Sequence, residues 1–118
     1  MVYWFSLGSL DHFPRQGARV LSLPEVKVAV FRTHDDGLFA LEDRCPHRGG
    51  PLSEGMIHGM RVHCPLHGQA VALDTGTMVY PDEGCVRTFP VKVVDGNVLI
   101  ELPTAPVSSQ ATTAVSAV

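Results

Sequence analysis

The chain has 118 residues, a formal net charge of -3, 45% hydrophobic residues and 18% charged ones. That is enough for one globular domain with a modest core, without the basic surplus of a nucleic-acid binder or an apolar run long enough to cross a membrane. The start, Met1-Val-Tyr-Trp-Phe-Ser, lacks the basic and apolar pattern of a signal peptide, so a cytoplasmic protein with no nucleic-acid or membrane partner is expected.

Strand signals dominate in chain order. Trp4, the only tryptophan, reads as a core or edge anchor of the first strand, and a short helical turn fits near Gly8 to Phe13. Ala18 to Leu23 and Val26 to Arg32 are rich in β-branched residues and are separated by a Pro-Glu turn. "THDDG" (Thr33 to Gly37) is a hairpin turn from which "LFAL" returns. Asp43 to Gly59, with four glycines and two prolines, reads as loop, and Met60 to His63 as a short strand. "AVALDTGTMVY" predicts a hairpin turning at Thr75-Gly76. "FPVKVVDGNVLIEL" predicts another, turning at Asp95-Gly96. No segment sustains a 3.6-residue apolar period, so the expected fold is all-β, an antiparallel sandwich or small barrel over residues 1–102. The uncharged stretch 103–118, largely Ala, Ser, Thr, Val and Pro, predicts a disordered tail.

Three cysteines without an export signal argue against a disulfide framework and for metal ligation. Cys45-x-His47 and Cys64-x-x-His67 are separated by sixteen residues, which lie between His47 and Cys64. Two thiolates and two imidazoles would make a tetrahedral zinc site, and hence a zinc-stabilised interaction domain. Common zinc fingers, however, pair like with like in each element, whereas each loop here supplies one of each. That distribution suits two irons, with both thiolates on one and both imidazoles on the other. Gly49, Gly50 and Gly68 would let backbone N–H groups approach the sulfurs, and Pro46 and Pro65 would stiffen the loops.

"CPH…CPLHG" resembles the signature of the Rieske [2Fe-2S] family, and the similarity runs from about Val2 to Leu102. The resemblance implies three antiparallel sheets, two ligand loops closing over a [2Fe-2S] cluster, and a third covering loop, for which Tyr80 to Gly84 is the candidate. High-potential members carry an extra disulfide-forming cysteine in each loop, where this chain has Gly50 and Leu66. They also carry serine and tyrosine donors to the cluster sulfurs, where this chain has Gln69 and Val71. The resemblance therefore implies a potential near the low end of the Rieske range, about -150 mV or somewhat above.

"GPLSEGMIHG" and "PDEGCVRTFPVKVVDGNVLIEL" are similar to the small subunit of bacterial NAD(P)H-dependent assimilatory nitrite reductases. That likeness implies an electron-transfer subunit whose large partner carries FAD, sirohaem and a [4Fe-4S] cluster and reduces nitrite to ammonium. The alternative is a free-standing Rieske ferredoxin serving an aromatic-ring dioxygenase. No residues remain for a second, catalytic iron site, so the isolated chain is an electron carrier with no catalytic residues of its own. Among the other chemically able residues, Cys85 is expected as a small buried hydrophobe, His63 as a residue facing away from the cluster, and His58 as a solvated loop histidine. Arg44 and Arg48 are expected as solvated loop charges, and Asp82 and Glu83 are given no acid–base role.

Overall fold

The segment "VAVF" is apolar at every position because its strand is covered on both faces. In the computed structural model, which describes residues 3–46, 50–65, 68–79 and 83–103, it forms the centre of β3 (Lys27–Arg32). This strand is flanked by β2 (Gly17–Ser22) and β4 (Leu38–Glu42), and a two-residue strand β8 (Thr88–Phe89) completes an antiparallel sheet in the order β2-β3-β4-β8. Side chains alternate across such a sheet. Ala29, Phe31 and Leu41 face one buried cluster, while Val28, Val30 and Ala40 face another. The sheet is thus the middle layer of the molecule.

The second cluster is closed by β1 (Tyr3–Ser9), β9 (Val91–Val94) and β10 (Asn97–Leu102), ordered β1-β10-β9. Val98, Ile100 and Leu102, alternate residues of β10, are fully buried in it. The first cluster is closed by β5 (Met56–His58), β6 (Arg61–His63) and β7 (Ala70–Ala72), an antiparallel sheet in chain order. Three antiparallel sheets are the architecture the Rieske resemblance implies. No helix among the described residues is long and apolar enough to cross a membrane.

Several expectations need correction. The stretch from Asp43 to Gly59 is not all loop: it contains a 3-10 turn (Leu52–Glu54) and strand β5, whose central Ile57 is buried. The return arm after Asp74 is not a full strand but the isolated bridges Val71↔Met78 and Thr77↔Cys85. Phe89 does not belong to the last hairpin. Pro90, which has no N–H to give a ladder, divides β8, paired with β4, from β9, paired with β10. The turn of that hairpin is as expected: Asp95 and Gly96 have φ of 52° and 81°, the left-handed pair that a two-residue turn between twisted strands requires. The helical turn near Gly8 to Phe13 is the 3-10 turn Leu10–His12, capped by the Ser9 hydroxyl, which accepts from Asp11 N–H. Trp4 lies on edge strand β1, partly exposed, with Lys92 Nζ 4.2 Å above its ring. Of the expected tail, only Pro103 falls within the described residues.

One buried cation ties the N-terminal turn to the middle sheet. Arg32 Nη1 donates to the carbonyls of Phe13 (2.7 Å) and Leu10 (3.1 Å), and its Nε and Nη2 donate to Asp36 Oδ1. The same turn holds Asp35, whose exposed carboxyl is kept below its ordinary pKa chiefly by the Thr33 hydroxyl. Replacing Arg32 with Met strands two carbonyls, and chemical denaturation is expected to show a loss of about 1–3 kcal/mol. Arg15→Met, which removes the exposed partner of Asp36 and an exposed hydrogen bond to the His34 carbonyl, is expected to stay within about 0.5 kcal/mol of the parent.

Candidate metal centre

β4 runs out of the middle sheet straight into the first ligand loop, and β6 runs into the second. Cys45 and Cys64 are 1% and 2% exposed, and both belong to the cluster formed by Phe31, Leu41, Leu52, Val62 and Val71 among others. The fold therefore brings the two predicted thiol ligands into one water-excluded region. His47 and His67, the predicted imidazole ligands, lie outside the described residues, as do Arg48, Gly49 and Leu66.

The two loops close in the same way. Cys45 N–H donates to the Gly50 carbonyl and Cys64 N–H to the Gln69 carbonyl, each at 2.7 Å. In both loops the bond joins the cysteine to the fifth residue after it, although histidine stands two places on in one and three in the other. The second loop has an inner turn as well, with Gly68 N–H donating to the Cys64 carbonyl at 2.9 Å and Gly68 at φ 76°. Glycine adopts that conformation without the penalty a side chain would carry.

Asp43, given no role from the sequence, fastens the first loop at its base. Its N–H donates to the Lys27 carbonyl, and its carboxylate accepts from Ser53 N–H (2.7 Å) and Ser53 Oγ–H (2.8 Å). Charge-assisted bonds of this kind are the stronger ones, and here they span the whole loop. The sequence signal was faint: an aspartate two residues before Cys45, and a serine in "PLSEG" within the first 3-10 residues after the loop. Gly55, next in the chain, passes so close to the His63 carbonyl that a Cβ would collide with backbone. The first loop's exit is thereby pressed against the strand that leads to Cys64.

Of the candidate covering loop, Tyr80, Pro81 and Asp82 lie outside the described residues. Its end, Gly84, has φ 132°, and a Cβ there would fall 2.9 Å from Pro46 Cβ. The backbone at Gly84 therefore passes close against Pro46 of the first loop. Cys85, expected to be buried, is exposed. Strand alternation turns Val86 into the core instead, so register overrides residue type. His58 is exposed as expected but lies on β5, not in a loop. Its ring meets His63 edge-on at 5.2 Å. Val62 takes the inward face and His63 the outer, as alternation predicts, with His63 Nδ1 3.2 Å from the Gly68 carbonyl. An opening of about 490 Å³ lies beside the second loop, lined by Glu54, Met56, His58, His63, Cys64 and Pro65 among others. Arg44 is exposed and pairs with Glu42 at 3.3 Å.

Residues 3–101 match the family model of the Rieske-like [2Fe-2S] domain. The chain is 35% identical over 100 residues to the anthranilate 1,2-dioxygenase ferredoxin subunit of Burkholderia cepacia, covering 84% of this chain and 92% of that one. Its fold is similar to that of a protein described as the NADH-dependent nitrite reductase small subunit of Mycobacterium tuberculosis (TM-score 0.77, 24% identity, 89% of this chain and 99% of that one). It is also similar to a chain in the complex of reduced oxygenase and oxidized ferredoxin in carbazole 1,9a-dioxygenase (TM-score 0.73, 28% identity, 82% and 91%).

The group such a domain holds is a Rieske [2Fe-2S] cluster, and the residues here fit it. Two buried cysteines in two equally closed loops provide thiols away from water, where a cluster's thiolate ligands have to be. Asp43→Ala is expected to lower stability by about 1–3 kcal/mol and to speed the loss of iron and sulfide during gel filtration. Cys85→Ser is expected to leave iron and sulfide content unchanged.

Proposed function

The chain is a member of the Rieske-like [2Fe-2S] family, and from that premise we propose that it is the electron-transfer small subunit of an NAD(P)H-dependent nitrite reductase. In this reading Cys45 and Cys64 ligate one iron and His47 and His67 the other. The bound cluster supplies one-electron transfer. The chain's own residues bury the thiolates, hold both loops at one size and keep water from the sulfurs. Catalysis belongs to a large partner carrying FAD, sirohaem and a [4Fe-4S] cluster, which converts nitrite to ammonium for nitrate assimilation in the cytoplasm.

The observation that carries the reading is the run from Pro81 to Leu102, "PDEGC…FPVKVVDGNVLIEL", which resembles the nitrite reductase small subunit. The contact between Gly84 and Pro46 supports it, because it ties this run to the first ligand loop. The fold likeness spanning 99% of the M. tuberculosis chain is in keeping with it. A second reading, a ferredoxin donating electrons to an aromatic-ring dioxygenase, is favoured by the 35% identity to the anthranilate dioxygenase ferredoxin subunit.

Affinity purification from the native host under nitrate-dependent growth separates the two. Co-elution with a sirohaem flavoprotein, and loss of its NAD(P)H-dependent nitrite reduction when this chain is deleted, is the expected result. Rapid electron transfer to an oxygenase, with no binding to such a flavoprotein, would reverse the order. For the ligands, His47→Ala and His67→Ala are expected to abolish cluster retention and His12→Ala to leave it intact. Equal iron and sulfide in all three would show the assignment to be wrong.

A further inference from the structure

We propose that the side-chain amide of Gln69 donates a hydrogen bond to sulfur of the cluster and raises its reduction potential. The inference rests on the family's cluster, not on the choice between nitrite reductase and dioxygenase.

The geometry comes from the β6–β7 ladder. Val62 pairs with Val71 and His63 with Ala70, and the bond from Cys64 N–H to the Gln69 carbonyl continues the ladder by one step. Cys64 and Gln69 are therefore directly opposed. Side chains two apart on a strand share a face. Val62, Val71 and Cys64 are buried, and alternation places the half-buried Gln69 on that same inner side. Opposed residues place their Cβ atoms about 4.5–5.5 Å apart, and the carboxamide of Gln69 extends two atoms beyond its own Cβ. It reaches the region of the Cys64 sulfur.

The chemistry follows from an unsatisfied atom. Gln69 Oε1 is buried and has no hydrogen-bond partner among the described residues. A buried amide end without a partner is costly, and the sulfurs of a [2Fe-2S] site are all acceptors. A half-turn of the terminal amide exchanges oxygen and nitrogen with no change of shape. It then presents N–H to sulfur and removes the mismatch. Reduction adds negative charge to the cluster, so a donor aimed at sulfur favours the reduced form. Where high-potential members place a serine hydroxyl, this chain places a carboxamide with two donors.

Gln69→Leu and Gln69→Met remove the donor and keep the bulk. Potentiometric titration of each loaded protein, alongside iron and sulfide analysis, reads the effect. The expected result is full cluster content with the reduced-to-oxidised ratio lowered about tenfold at the wild-type midpoint, a fall of about 59 mV for one electron. An unchanged midpoint in variants that retain the cluster would overturn the proposal. Should both variants lose the cluster, pulsed electron–nuclear double resonance on reduced wild-type protein, labelled with side-chain 15N glutamine, decides. A weak 15N coupling supports the bond, and its absence overturns it. Wild-type protein without iron and sulfide would overturn the cluster assignment itself, an outcome that the metal analysis reads separately.

Discussion

Two backbone hydrogen bonds govern the functional end of this molecule: Cys45 N–H to the Gly50 carbonyl and Cys64 N–H to the Gln69 carbonyl. A thiolate that must hold iron has to be kept from water, yet it sits in a loop, where backbone groups ordinarily need solvent. Closing each loop on itself satisfies the cysteine amide internally, so that the thiol can be buried without stranding its own N–H. The remainder of the fold supports those closures. The middle sheet supplies Phe31 and Leu41 as a floor, Leu52 and Val62 flank the thiols, and Asp43 ties the ends of the first loop through Ser53. Gly55 against the His63 carbonyl, and Gly84 against Pro46, lock the three segments together where no side chain would fit.

What was legible in the sequence was what depends on local chemistry. The Asp95-Gly96 turn was readable because few residues tolerate its backbone angles. The uninterrupted apolar run of β3 was readable as strand, though only the second layer explains why it does not alternate with polar residues. The Rieske-like family was readable because the cysteine and histidine spacing in "CPH…CPLHG" is so particular. What was missed depends on partners distant in the chain. β5 is three residues between Gly55 and Gly59 that become a strand only through β6. Phe89 is assigned to a different sheet from Val91 by pairing with Ala40. Cys85 is exposed because its bridge to Thr77 lies at the surface, which no property of cysteine foretells. Asp43 needed Ser53, ten residues on, before its role was visible.

The two functional readings share the same buried thiols and the same loop closures. Burial of the thiols, loop closure and the three sheets serve any carrier of this family. Arg44, Met56 and His58 are exposed on the outside of this region, where a partner would meet the protein. A chain 35% identical to a dioxygenase ferredoxin subunit thus also has a fold similar to that of a protein described as a nitrite reductase small subunit.

Pulsed electron paramagnetic resonance on the reduced, anaerobically purified protein tests the central claim most directly, because it counts the nitrogens bound to the paramagnetic cluster. A mixed site built from Cys45, His47, Cys64 and His67 predicts two strongly coupled imidazole nitrogens. A reduced cluster with no strongly coupled nitrogen, or a protein holding zinc and giving no signal, would contradict it.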